Sequence, residues 1–318
     1  MNKDFLSIHD ITGGELEGMF SLADELKLSR QFRPLEGMTA ALIFQKPSLR
    51  TRASFEIGVA QLGGLSVHFT DEGIGLGVRE SAADVAQLLS RYADLIIARV
   101  FGHDLLEQMA AHATVPVVNA LSDRSHPCQI IADMYTIRQH GLLAPGVRVC
   151  YVGDGNNVAN SWIEMAAIWP IRLTVVTPEG YGPDPEILAT SQRQSAFPIV
   201  ISHDPATAVR NADVVYTDVW ASMGQEQEAA ARKKEFARFQ VTTALMARAA
   251  DDAIFMHCLP AHRGEEVTAE VIDGARSVIF DQAENRLHMQ KALLTQLAHR
   301  GHGTGALLHG QLVPSMTR

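Results

Sequence analysis

The sequence predicts an α/β protein of two doubly wound domains, each with a central parallel sheet flanked by helices, joined by interdomain helices. Three observations predict it. Short apolar, β-branched runs alternate with longer helical patterns along the 318 residues, which is the rhythm of βαβ units and parallel sheets. The runs are almost continuously apolar, as strands covered on both faces should be. The rhythm breaks once, at 127–145.

Runs at 39–44, 65–69, 94–99 and 115–119 supply four strands before the break. Runs at 147–152, 172–177, 198–202, 213–217, 253–257 and 277–280 supply six after it. At the break, Pro127 suits the first position of a helix, and Ile130, Ile131, Met134, Tyr135 and Arg138 follow at helical spacing. That helix ends near His140-Gly141, and Pro145-Gly146 opens the next strand. A last helix, near 285–300, resumes after the final run. The tail 301–318 holds Gly301, Gly303, Gly305 and Gly310 and is expected to be loose.

Composition excludes several classes. A formal charge of −9 disfavours a protein that tracks nucleic-acid phosphates, although a local basic pocket for a small anion stays open. No apolar run reaches the ~18 residues of a membrane helix, and the first ten residues hold no signal-peptide core. Cys128, Cys150 and Cys258 are far apart with no C-x-x-C spacing, so neither a disulfide framework nor a zinc ribbon is expected and a reducing cytoplasm fits. No metal and no cofactor is expected.

Ligands of open parallel sheets bind beyond the carboxyl ends of the strands, so the residues following each run are the informative ones. After the first run, Ser48-Leu49-Arg50-Thr51-Arg52 opens a helix. Free N–H groups, two hydroxyls and two guanidinium groups make an anion cradle suited to a phosphate. The plain alternative is an ordinary cap with surface arginines; two arginines directly after a strand favour the cradle. Arg99 ends the third run. His126-Pro127-Cys128-Gln129 puts an imidazole just outside a helix and an amide one turn inside, with a satisfied structural histidine as the competing reading.

Gly153-Asp154-Gly155-Asn156-Asn157-Val158 looks like a dinucleotide fingerprint but has Val158 in place of the third glycine and lacks a timely acidic ribose partner. Asn156 and Asn157 instead offer neutral amides to a zwitterion. Asp218, Ser222 and Met223 form the next loop, where a carboxylate suits an ammonium group, unless these residues are only helix caps. Cys258 in His257-Cys258-Leu259-Pro260 could be a nucleophile, an ordering group or a packed thiol. His257 is its neighbour on a strand and points the other way, which disfavours a Cys–His protease-like pair.

Together these residues resemble the aspartate/ornithine carbamoyltransferase family. The resemblance runs in order over essentially the whole chain, through Phe44 to Glu56, His126 to Gln129, Gly153 to Asn157, Asp218 with Ser222-Met223-Gly224, and His257 to Gly264. The Ser-x-Arg-Thr-Arg box marks the wider family. The Ser-Met-Gly loop and the His-Cys-Leu-Pro box are more selective for its ornithine members. The resemblance implies transfer of the carbamoyl group of carbamoyl phosphate to the δ-amine of L-ornithine, giving L-citrulline and phosphate. It implies a carbamoyl-phosphate-binding domain at 1–135, an ornithine-binding domain at 136–290, and a C-terminal helix and tail at 291–318 packing back towards the first. A cytoplasmic homotrimer, or a multiple of trimers, serving arginine biosynthesis is implied as well.

Residue roles follow from the same resemblance. Ser48, Leu49, Arg50 and Thr51 would hold the phosphate, and Arg99 would bridge phosphate and carbonyl. His126 would polarise the carbonyl, while Gln129 and the Leu259 carbonyl hold the carbamoyl amine. Arg286 matches another carbamoyl-phosphate ligand. Asn157, Asp218, Ser222 and Met223 would grip the amino-acid head of ornithine, with Cys258 and Asp218 near the attacking amine. The catalytic set is then Arg50, Arg99, His126, Asp218 and Cys258, with Cys258 also counted among the carbamoyl-phosphate contacts. Three positions depart from commoner family patterns: Leu49 for Thr, Cys128 for Thr or Ile, and Gly75, where relatives carry Gln or His in a loop, 73–80, that reaches a neighbouring subunit. The competing readings are a carbamoyltransferase for another amine such as putrescine, a catalytically silent anion-binding regulator, and a nucleotide-dependent oxidoreductase.

Overall fold

The structure is a computed structural model that describes residues 2–29, 31–221 and 228–301. The loose tail expected beyond Gly301 lies outside the described residues. The chain divides into two compact units, one of Met1–Leu6, Gly14–Leu121 and Leu287–Arg318, the other of Ser7–Gly13 and Ser122–Arg286.

In the first unit, β1 (Thr39–Phe44), β2 (Leu65–Thr70), β3 (Leu95–Arg99) and β4 (Val117–Leu121) form a sheet in the order β2-β1-β3-β4. Every pairing is parallel. Strands β1, β3 and β4 are buried almost throughout, because Ala41, Ile43, Ile96 and Ala98 pack against Val85, Ala86, Leu89, Leu106 and Met109 of the connecting helices. β2 is the edge strand and leaves Leu65 and Val67 exposed.

The second unit holds β5 (Arg148–Val152), β6 (Arg172–Val176), β7 (Val200–Ser202), β8 (Val214–Thr217) and β9 (Ile254–His257), in the order β7-β6-β5-β8-β9. All are again parallel. Cys150, Val152, Val215 and Phe255 pack against Val209, Phe239, Leu245, Val267 and Ile272. Two four- and five-stranded parallel sheets with helical connections are therefore the doubly wound architecture the alternation predicts.

The strand expected at 277–280 is not one. Ser277 makes an isolated bridge to Phe255, and Ile279 begins the long Ile279–Gly301 helix. Val278 and Ile279 are buried while Phe280 is exposed. A four-residue apolar run fits a buried helix start as well as a strand, and here the helix won. The other nine runs are strands; 39–44 is unchanged and the other eight move by one or two residues at one or both ends.

The break in the rhythm is the Pro127–Gln139 helix, with Pro127 in its first turn. Its residues from Pro127 to Ile137 are all buried. Polar members of that stretch, Gln129, Asp133 and Thr136, must then find partners inside the protein.

Candidate active site

In each sheet the strand order reverses at one place, and there the loops leave a crevice for a ligand. In the first unit this is between β1 and β3, where Phe44 pairs with Arg99. Beyond Phe44, Ser48 caps the Leu49–Gln61 helix, its hydroxyl accepting the Thr51 N–H at 3.3 Å. Such a cap contributes about 1 kcal/mol. The Ser48 and Thr51 hydroxyls lie 3.0 Å apart, and the buried Arg99 guanidinium donates to Thr51 Oγ1 at 3.3 Å. Arg50 is half-buried and Leu49 is exposed. Ser48, Thr51 and Arg99 are thus brought together at a helix N-terminus, which favours an anion. Arg52 points elsewhere, pairing with Glu56 at 2.8 Å on the exposed side.

In the second unit the reversal falls between β5 and β8, where Val152 pairs with Thr217. The two loops that follow are tied together. Asn156 caps the Asn157–Ile168 helix through Oδ1, which accepts from Val158 N, Ala159 N and Tyr151 Oη. That leaves its Nδ2 to donate to Asp218 Oδ2 at 2.8 Å. Asp218 Oδ1 accepts from Val219 N at 2.8 Å and from the Cys258 thiol at 2.9 Å. Burial and the Asp218 carboxylate push the Cys258 thiol well above its ordinary range, so it stands as a neutral donor and not as a thiolate nucleophile. Asn157 donates to the Ser122 carbonyl at 2.6 Å. Ser222 and Met223 lie outside the described residues.

His126 is the N-cap residue of the buried helix, its backbone N–H held by Ser161 Oγ at 2.9 Å. One turn in, Gln129 is fully buried and donates to Asp133 Oδ1 at 2.8 Å. Arg286, also buried, is the cationic neighbour of Cys128, Asp133 and Cys258. His257 Nδ1 accepts the Leu259 N–H at 2.8 Å, so the ring proton sits on Nε2 and is shared with the buried Glu266 at 3.1 Å. This anchor holds Leu259 at a φ of 58°, a left-handed conformation that costs a branched residue about 1–3 kcal/mol. Both ring nitrogens of His257 are engaged by Leu259 and Glu266, while Cys258 bonds to Asp218. The His257 ring nonetheless lies within 4.8 Å of the Asp218 and Cys258 polar atoms, so it does not point away from Cys258 as strand alternation predicts.

The glycine motif is also explained. A Cβ at Gly155 would collide with the backbone of Gly182 and Pro183, and Gly155 N donates to the Tyr181 carbonyl at 2.9 Å. The close approach that a pyrophosphate makes in a dinucleotide fold is made here by the chain itself. Nearby, Asp154 pairs with the buried Arg232 at 2.9 Å. Burial pushes its carboxyl up to about 6 against the pull of that guanidinium.

Sequence reasoning missed Asp133, Gln282, Tyr216 and Glu266. Only Asp133 left a signal: it stands four residues beyond Gln129 on a helix with no polar face.

The comparisons place the chain among the carbamoyltransferases. The aspartate/ornithine carbamoyltransferase carbamoyl-phosphate-binding domain matches residues 3–139, and the Asp/Orn-binding domain matches 145–297. The chain belongs to the aspartate/ornithine carbamoyltransferase family. It is 51% identical over 298 residues to an ornithine carbamoyltransferase of Syntrophus aciditrophicus, covering 92% of this chain and 99% of that one. It is 49% identical over 302 residues to that of Chlorobaculum tepidum, covering 93% and 89%. Among solved structures, ornithine carbamoyltransferase from Pyrococcus furiosus superposes with a TM-score of 0.88 at 49% identity, covering 92% of this chain and 95% of that one.

Proposed function

We infer that this chain transfers the carbamoyl group of carbamoyl phosphate to the δ-amine of L-ornithine, giving L-citrulline and phosphate. The observation that carries the reading is the buried Arg99 guanidinium bonded to Thr51 at a Ser48-capped helix start. Ser48, Leu49, Arg50 and Thr51 hold the phosphate, residues 1–135 forming the carbamoyl-phosphate domain. His126, Arg99 and Thr51 stabilise the oxygen of the carbonyl as negative charge grows on it. Gln129 and the Leu259 carbonyl take the carbamoyl amine, and Arg286 adds positive charge. In the domain of residues 136–290, Asn157, Asp218, Ser222 and Met223 bind ornithine, with Cys258 ordering Asp218.

The neutral δ-amine attacks the carbonyl carbon, the C–O bond to phosphate breaks, and the leaving phosphate accepts the amine's proton. A primary alkylamine with a pKa of about 10.4 is only ~0.4% neutral at pH 8, so turnover rises towards alkaline pH. Position and charge suffice; no covalent intermediate is needed. The exposed Leu65 and Val67 on edge strand β2 support self-association, and a homotrimer is proposed. A cytoplasmic role in arginine biosynthesis fits the reaction. No helix among the described residues is long and apolar enough to cross a membrane.

A parallel assay of carbamoyl phosphate with ornithine, N-acetylornithine, putrescine and aspartate tests the reading. Citrulline from ornithine should dominate. A faster ureido product from any other amine, or none from ornithine, overturns it.

A further inference from the structure

We propose that Asp133 is a positioning residue. It turns the Gln129 amide so that its oxygen, not its nitrogen, meets the amine of the carbamoyl donor. The proposal rests on the reading above that Gln129 faces that amine.

The argument is one of hydrogen-bond direction. The chain of bonds starts at a backbone group whose role cannot change: the His257 N–H donates to Gln282 Oε1 at 2.8 Å. Gln282 must then present its nitrogen at the other end, and Nε2 donates to Asp133 Oδ1 at 2.8 Å and to Tyr216 Oη at 3.2 Å. Asp133 Oδ1 is therefore an acceptor already surrounded by donors. It is an acceptor whether or not the second carboxyl oxygen carries a proton, so the direction survives even though burial pushes this carboxyl up to about 7. Gln129, four residues earlier on the same buried helix, can meet Oδ1 only with its nitrogen, which it does at 2.8 Å.

The consequence falls on the far end of the Gln129 amide. Gln129 Oε1 is buried and accepts no hydrogen bond among the described residues. A buried acceptor left unmatched is costly, so it is matched by a ligand N–H when a ligand binds. A carbamoyl group differs from an acetyl group by having NH2 in place of CH3. A fixed carbonyl oxygen at that point distinguishes the two, and an amide free to rotate does not.

The test measures binding, not turnover. Phosphonoacetamide (amide) and acetonylphosphonate (methyl ketone) are titrated calorimetrically into the full chain. Wild type should prefer the amide by roughly tenfold or more. Asp133→Asn keeps an acceptor oxygen and should retain that preference. Asp133→Leu should bring the two affinities together, both ligands still held through the phosphonate. Should the leucine not be accommodated, the smaller Asp133→Val is read the same way. Undiminished preference in the apolar variant overturns the proposal, as does equal loss in Asp133→Asn. Wild type binding both ligands equally overturns the proposal and leaves the donor reading standing. Wild type binding neither ends the donor reading itself.

Discussion

Replacing Asp218 by Asn removes a charge and, at the same time, creates a direction conflict. Asp218 accepts three hydrogen bonds, from Asn156 Nδ2 on one oxygen and from Val219 N and Cys258 Sγ on the other. The new amide nitrogen must face one of those sides. Asn156 cannot turn to accept, because its own oxygen caps a helix. The less disruptive choice keeps the two bonds from Val219 and Cys258 and loses the one from Asn156. A hydrogen bond to a charged group contributes about 1.5–3 kcal/mol, and under the proposed assignment of Asp218 to the ornithine ammonium that interaction loses a comparable amount. At 1.36 kcal/mol per factor of ten, the loss of one such interaction from the transition state lowers kcat/KM for ornithine roughly 10- to 150-fold. Steady-state citrulline formation at saturating carbamoyl phosphate reads that number, and calorimetry with phosphonoacetamide reads the donor site. The amide affinity should stay within about twofold of wild type, well inside the charged-bond range. Weakened phosphonate binding with unchanged ornithine kinetics would refute the assignment, because it would put Asp218 in the donor's half of the machinery.

Arg50→Ala should lose most turnover while circular dichroism stays native, since this half-buried side chain lies in the first turn of a helix that keeps its Ser48 cap; near-wild-type turnover would refute the cradle. Glu164→Gln tests a buried carboxyl on the Asn157–Ile168 helix, which accepts Ile8 N at 3.3 Å and is pushed by burial from 4.5 up to about 7. Because the folded state holds this proton more tightly, the stability it contributes is complete below pH 4.5 and is lost as the pH rises through about 7, at no more than about 1.4 kcal/mol per pH unit. The Tm advantage of Glu164→Gln over wild type should grow from pH 5 to 8. Asp133 and Asp154 share the direction of shift but occur in both proteins and cancel in the difference. A Tm difference that is flat with pH would sink the argument.

The strands were readable because a parallel sheet covered on both faces demands unbroken apolar runs, as in Leu95–Arg99. The polar residues that end those runs, Arg99 and Asp218 among them, were readable for the complementary reason: an apolar strand has no use for them. Where a run was too short to show a period, at 277–280, the pattern misled. Gln282 was invisible because it meets Asp133 across 149 residues of sequence. Tyr216 was invisible because, within the buried β8 strand, a tyrosine reads as packing. Bonds of that kind follow from tertiary placement, which no local spacing encodes. Asn156 lies between these cases: it was read as a ligand-facing amide, and the structure uses it to cap a helix and hold Asp218.

The helix that interrupts the strand rhythm has one more consequence, for redesign. From Pro127 to Ile137 it offers no solvent-facing position, so every substitution there repacks an interior or strands a polar atom. Libraries meant to shift the acceptor amine should leave that rod untouched and draw their changes from the loop ends around Asn157 and Asp218, sparing Asp218 itself, which accepts the bonds from Asn156, Val219 and Cys258 that tie the two loops together.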